Sequence, residues 1–181
     1  MRVFLISLLA LSASVPVIAQ QFSPAENLGP NIPTPQVIVE RMLEVAHVKP
    51  GEIVYDLGSG DGRVLITAVQ KFGARGVGIE IDPDLCEKAR HTIKSLGLDG
   101  KISIIHGSVL RTDLRPADVV TMYFLTLSNE KLRPSLEKLR PGTRVVSFQF
   151  PIRGWKALEA QIVQTANVER TIYVYEIGRT K

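Results

Sequence analysis

The stretch Val54-Tyr55-Asp56-Leu57-Gly58-Ser59-Gly60-Asp61-Gly62-Arg63 decides the fold of this chain. It is the end of a short apolar run, Glu52 to Leu57, that breaks into a turn with glycine at positions 58, 60 and 62. Val64, Leu65, Ala68, Val69 and Phe72 then recur at helical spacing up to Gly73. A strand therefore feeds a tight turn that opens a helix. Glycines let the backbone turn sharply and lie against a ligand where a side chain would collide. The free N–H groups of the following helix face the same place and favour an anionic group. No Lys-Ser/Thr pair follows, so this is not a Walker phosphate loop. The spacing is G-x-G-x-G, and Arg63 stands where a dinucleotide fingerprint has its third glycine. Asp56, two residues before the first glycine, is suited to receive an amino group.

Moving outward, Gly76 to Ile81 is a second strand, and Glu80 near its end lies 22 positions after Gly58. A carboxylate there can accept hydrogen bonds from both hydroxyls of a ribose. Asp82-Pro83 opens a helix with Leu85, Ala89, Ile93 and Leu96 on one face and Gly97 as its cap. Lys101 to Ile105, Asp118 to Phe124 and Thr143 to Phe150 read as three more strands. Upstream, Thr34 is placed to N-cap a helix that starts at Pro35 and carries Ile38, Met42 and Val45. Asn129 to Leu139 is helical in outline, with Pro134 expected to divide it into a short turn and a second helix. Ala157 to Val163 fits either a helix or the first arm of a hairpin. The hairpin is preferred, because Asn167 to Arg170 is a short polar turn before a strand bearing Thr171, Tyr173, Tyr175 and Ile177. Strands alternating with helices predict an α/β fold: a Rossmann-like, mostly parallel, doubly wound sheet with a C-terminal antiparallel hairpin. Ligands of such sheets bind at the carboxyl ends of the strands, where strand order reverses.

The first 19 residues stand apart. Met1-Arg2 is a short positive end, Val3 to Ala19 carries no charge, and Val17 and Ala19 are the small residues a signal peptidase reads. The expectation is a cleaved signal peptide over 1–19 and an exported protein, with an uncleaved membrane anchor as the alternative. Residues 20–33, dotted with Pro24, Pro30 and Pro33, read as a linker, and 34–181 as one domain. The whole chain is 181 residues with a formal net charge of +4, 45% hydrophobic and 22% charged, which excludes a disordered protein and a charge-driven scaffold. No polybasic arm points to nucleic acid. One cysteine, Cys86, excludes an internal disulfide, and His47, His91 and His106 lack metal-ligand spacing, so no metal is expected.

The glycine turn, taken with Gly76-Val77-Gly78-Ile79-Glu80-Ile81-Asp82, resembles the first two motifs of class I S-adenosylmethionine-dependent methyltransferases. The resemblance runs from about Thr34 to Ile177. It implies S-adenosyl-L-methionine as cofactor. Asp56, Gly58, Ser59, Gly60 and Gly62 would hold its methionine part, Glu80 its ribose, and Ile81 would lie against its adenine. The family's third motif, Gly-Asp, corresponds here to Gly107-Ser108-Val109, so a serine replaces the acid that faces the adenine amino group. Ser108 and Val109 are the cofactor-binding candidates of that segment, and Asp113 is close enough in sequence to be a substitute acid. A narrower resemblance rests on Pro33-Thr34-Pro35, Asn129-Glu130-Lys131-Leu132, and Arg144-Val145-Val146-Ser147 through Phe150-Pro151 to Trp155. These are similar to the small lysine methyltransferases of ATP synthase c-subunit and adenine nucleotide translocase, and to their bacterial relatives.

That resemblance implies a protein-lysine N-methyltransferase acting on a partner that presents a lysine and is associated with a membrane; a monomer is expected. Methyl transfer from a sulfonium is an in-line displacement in which orientation of the nucleophile supplies much of the rate. The acceptor belongs at the carboxyl end of the fourth strand, where Tyr123 is the catalytic candidate. Thr126, Asn129 and Trp155 are candidates for substrate binding. Three alternatives remain: a small-molecule methyltransferase, a catalytically silent nucleoside-binding module, and a nicotinamide dinucleotide reductase. The reductase is opposed by the missing third glycine and the missing Tyr-x-x-x-Lys.

Overall fold

The computed structural model describes residues 21–165 and 168–180. The predicted signal segment, 1–19, lies outside the described residues. In chain order the elements are α1 (Gln36–Val45), β1 (Ile53–Leu57), α2 (Arg63–Phe72), β2 (Arg75–Glu80), α3 (Pro83–Ser95), β3 (Ile102–His106), β4 (Val119–Met122), α4 (Thr126–Leu136), β5 (Arg144–Phe148), β6 (Glu159–Thr165) and β7 (Val168–Glu176). They build a seven-stranded sheet of order β3-β2-β1-β4-β5-β7-β6. The first five strands run parallel, and β7 joins β5 antiparallel with β6 outside it. This is the expected α/β sheet with its C-terminal hairpin.

Alternation along the strands builds a core on each face. Val54, Val119, Val146 and Val174 point to the side covered by α1, α2 and α3, where Ile38, Leu43, Leu65, Ala68, Ala89 and Ile93 are buried. Tyr55, Val120, Val145 and Tyr175 point to the other side and meet Leu132 and Leu136 of α4. Both faces are thus apolar, which is why the central strands read as continuous hydrophobic runs. The chain returns from β3 at one edge to β4 beside β1. Strand order reverses there, and a crevice opens at the carboxyl ends of β1 and β4.

Several expectations need correction. Thr34 does not cap α1: the N-cap is Pro35, whose carbonyl accepts from the N–H groups of Ile38 and Val39. Pro134 does not divide α4, which runs unbroken from Thr126 to Leu136. It sits in the last turn, where only two more helical residues follow and one missing N–H costs little continuity. Leu96 is exposed, and the buried face of α3 is Cys86, Ala89 and Ile93. β4 ends at Met122, so Tyr123 and Phe124 lie on the loop beyond it. The polar stretch Val168–Arg170 belongs to β7, not to the turn.

The largest correction concerns the predicted linker. Residues 21–34 lie as a strap along the crevice. A 3-10 turn, Pro24–Glu26, starts it, and Leu28 is buried. The strap is fastened at three points: Arg111 Nη2 to Glu26 Oε2 at 2.6 Å, Ser128 Oγ to the Leu28 carbonyl at 2.5 Å, and Arg63 Nη1 to the Thr34 carbonyl at 2.9 Å.

Candidate active site

The crevice holds a cavity of about 360 Å³, within the range usual for small-molecule sites. Its floor is the glycine turn from Asp56 to Asp61 and its rear wall is Ile79, Glu80, Ile81 and Asp82. Gly107 and Val109 close one end, Met122, Tyr123 and Phe124 the other, and strap residues 26–34 form the roof.

The turn keeps its shape by hydrogen bonds from the Gly58 and Ser59 N–H groups to the Ile79 carbonyl, at 2.9 and 3.1 Å. Gly58 has φ +72°, and a Cβ there would stand 3.0 Å from the ring edge of Phe124. Both facts require glycine. Across the turn, a Cβ on Gly78 would meet Ser59 Oγ at 2.5 Å, so bare backbone on β2 is what lets the turn fold down onto it. Asp61 is held by Arg63, which donates to both carboxylate oxygens and keeps the acid below its usual range. The same guanidinium reaches Thr34, so one arginine ties the turn to the strap.

Glu80 is buried and already engaged. Its Oε2 accepts from the Gly60 N–H at 2.8 Å, and its Oε1 from those of Ile81 and Asp82, each at 2.9 Å. Of the roughly four lone-pair sites on a carboxylate, ~1 remains, on Oε2. Glu80 therefore joins the turn to the start of α3 and keeps a single acceptor site toward the cavity.

Asp56 lies at the bottom, buried, with Oδ1 accepting from Thr121 Oγ1 at 2.7 Å. Burial raises its pKa to about 7; the nearby charges of Glu80 and Asp61 push the same way, and the Thr121 hydroxyl opposes. A cation placed beside Asp56 would restore its charge. An ammonium group is such a cation.

The remaining candidates separate. Tyr123 lines the cavity, tilted against Phe148 (ring centroids 4.8 Å) and stacked on Phe150 (6.2 Å). Thr126 starts α4 outside the cavity lining. Asn129 is buried beneath it, with Nδ2 donating to the Phe150 carbonyl at 3.0 Å, so it shapes the loop after β5. Trp155 does not wall the pocket: it packs edge-on against Tyr175 at 5.7 Å, in the core opposite α1–α3. Ser108 is buried behind the cavity lining, its Oγ accepting from the Leu110 N–H at 3.3 Å, whereas Val109 faces the cavity. Asp113 is spent on an exposed ion pair with Arg115, away from the cavity.

Sequence reasoning missed Thr121, Phe124, Arg63 and the whole strap. Phe124, next to Tyr123 at a strand end, carried a readable signal; a threonine inside an apolar strand did not.

The site fits S-adenosylmethionine. Glu26 Oε1 is a buried polar atom without a hydrogen-bond partner on a residue that lines the cavity. Asp56 lacks a counter-charge, and Ile81 and Val109 offer apolar surface to a flat ring. One donor-poor acid at the floor and apolar surface on the walls suit a ligand that is cationic at one end and aromatic at the other.

Comparison with known proteins agrees. The family model described as the ANTKMT methyltransferase domain matches residues 56–159, more than half of the chain. A protein-lysine N-methyltransferase of Saccharolobus islandicus is 47% identical over 154 residues, covering 84% of this chain and 96% of that protein. The adenine nucleotide translocase lysine N-methyltransferase of Mus musculus is 31% identical over 119 residues, and the chain spans about half (52%) of its length. The crystal structure of an RNA methyltransferase from Salinibacter ruber in complex with S-adenosyl-L-homocysteine superposes with a TM-score of 0.75 at 45% identity, covering 81% of this chain and 94% of that one. With the glycine turn, Glu80 and the strand order in place, the chain belongs to the family of the ANTKMT methyltransferase domain and is a class I S-adenosylmethionine-dependent methyltransferase.

Proposed function

We propose that the enzyme methylates the side-chain amine of a lysine presented by a partner protein. The observation that carries this is the rim of the cavity. Ile32, which lines the cavity, and Val37, Leu125 and Leu127, on segments that adjoin lining residues, are each more than half exposed. An apolar rim suits a protein surface, whereas an RNA backbone is met by lysines and arginines. The lysine methyltransferases named among the relatives support the same choice.

When bound, S-adenosylmethionine supplies an electrophilic methyl group on a sulfonium. Displacement by the lysine nitrogen would form the carbon–nitrogen bond as the carbon–sulfur bond breaks, with S-adenosylhomocysteine as the leaving group. The amine must first give up a proton, which passes to solvent at the open mouth. Asp56 and the glycine turn would hold the methionine end, Glu80 the ribose, and Ile81 and Val109 the adenine. Tyr123, fixed by Phe148 and Phe150, would align the incoming amine so that its lone pair points along the bond to be broken. Thr126 lies nearby and Asn129 sets the loop that faces it; both support the acceptor side from behind.

The exposed apolar residues around the cavity also suit an acceptor at a membrane surface. On the strength of its first 19 residues we place the enzyme outside the cytosol, a reading that mass measurement of the processed N-terminus tests. For the acceptor, transfer of labelled methyl from S-adenosylmethionine to a lysate, its membrane fraction and its RNA should mark protein lysine. Label confined to RNA or to small metabolites overturns the proposal.

A further inference from the structure

The third motif lost its acid, yet the cavity did not. Glu26, on the strap, is 8% exposed and lines the cavity together with Ile81, Gly107 and Val109. Its Oε2 is saturated: it accepts from the Ser23 N–H at 3.0 Å, the Ser23 hydroxyl at 3.1 Å and Arg111 Nη2 at 2.6 Å. Its Oε1 is buried and has no hydrogen-bond partner among the described residues. The Ser108 hydroxyl lies within reach of the carboxylate and, as a hydrogen-bond donor to it, helps to lower its pKa. A buried carboxylate oxygen without a donor is costly, and such an atom on a ligand-site wall points to a donor that the ligand brings.

We infer that Glu26 reads the adenine of the cofactor: its Oε1 accepts the exocyclic amino group, in place of the acid replaced by Ser108. The position fits. Ile81 and Val109 are the apolar pair that a flat ring would lie against, and Gly107 and Glu26 line the same cavity, with Ser108 buried behind them. The charge state fits as well, because the Ser23 N–H, aided by Ser108 and Arg111, holds the carboxyl below its usual range and keeps it an acceptor at neutral pH. In this chain base recognition has moved from the β3 loop to a segment about 80 residues earlier, held in place by Arg111 of that same loop. The roof thereby becomes a specificity element.

The inference rests on S-adenosylmethionine being the ligand, and the test separates the two. Calorimetry on the full chain compares S-adenosylhomocysteine with S-inosylhomocysteine, in which a carbonyl replaces the amino group. The wild-type protein should prefer the adenosyl ligand by ~10-fold or more, the scale of a hydrogen bond to a charged group. In Glu26→Gln the amide must turn its oxygen toward Arg111 and Ser23, leaving its NH2 facing the base. That arrangement repels an amino group and donates to a carbonyl, so the preference should vanish or invert. Glu26→Asp keeps the ion pair but draws the carboxylate back by one methylene, and should narrow the preference. Asp56→Asn, at the other end of the cavity, should weaken both ligands alike and leave their ratio unchanged. A merely structural Glu26 would also weaken both alike. An undiminished adenosyl preference in both Glu26 variants overturns the assignment, and wild-type protein that binds neither ligand overturns the cofactor reading on which it stands.

Discussion

Cofactor affinity should depend on pH through Asp56, and the structure sets the size of the effect. In the free site burial holds the Asp56 pKa at about 7, so at pH 5 the side chain is almost wholly neutral. The ammonium group of S-adenosylhomocysteine, protonated throughout this range, favours the carboxylate and brings the pKa back toward its ordinary value. Binding in mildly acid solution therefore expels a proton, and affinity must rise with pH until the free site is itself ionised. With a free-site pKa of about 7 and a bound-site pKa of ~4, the ionised fraction grows from ~1% at pH 5 to ~90% at pH 8, which makes binding ~90-fold tighter, or ~2.7 kcal/mol. Calorimetry in buffers of different ionisation enthalpy reads both the affinity and the released proton. Asp56→Asn keeps an acceptor for Thr121 but cannot ionise, so its profile should be flat and should meet the wild-type curve near pH 5. A flat wild-type profile, or the same slope in the Asn variant, would refute the placement of the ammonium at Asp56.

The same residue affects folding with a defined sign. Its pKa is raised in the native state, from 3.8 to about 7, so its relative stabilisation is full below pH 4 and is lost as pH rises through 7; Asp56→Asn should be the more stable protein at pH 8, by up to ~4 kcal/mol in urea denaturation. Tyr123→Phe should lower turnover while S-adenosylhomocysteine affinity stays within ~2-fold; full activity would exclude a role for the hydroxyl. Gly58→Ala forces a Cβ against Phe124 at φ +72° and should cost ~1–3 kcal/mol of backbone strain, seen as weaker cofactor binding and a lower melting temperature. Tyr175→Phe removes the acceptor of the buried Ile152 N–H (2.9 Å) and should destabilise the fold by ~1–3 kcal/mol; a loss below ~0.5 kcal/mol would mean that the N–H finds water.

What could be read from the chain followed the range of the forces involved. The glycine turn, Glu80 and the alternation of strand and helix are local demands, each met by residue types close in sequence, and all stand where expected. The strap is the opposite case. Its prolines and polar residues look like a connector, and only contacts with Arg111 and Ser128, 85 and 100 residues away, make it a roof. For the same reason local sequence leaves Trp155 open between pocket and core, since its partner Tyr175 lies on a strand whose neighbours in the sheet no local pattern reveals. Pro134 misled through a rule that holds mid-helix and weakens in a final turn. Thr121 gave no signal at all: a threonine in a strand is unremarkable until the buried acid beside it is seen.

The order in which β6 and β7 enter the sheet has a consequence for biogenesis. β6 is synthesised first but reaches the sheet only through β7, the one of the two that pairs with β5. Until β7 docks, β5 offers a bare row of N–H and C=O groups, and Val145, Val146 and Phe148 of that strand are apolar on both sides. A nascent chain in this state can recruit a strand from another molecule as easily as its own. Losing β7 would therefore release two strands at once and leave the apolar strand β5 as an open edge, an aggregation template.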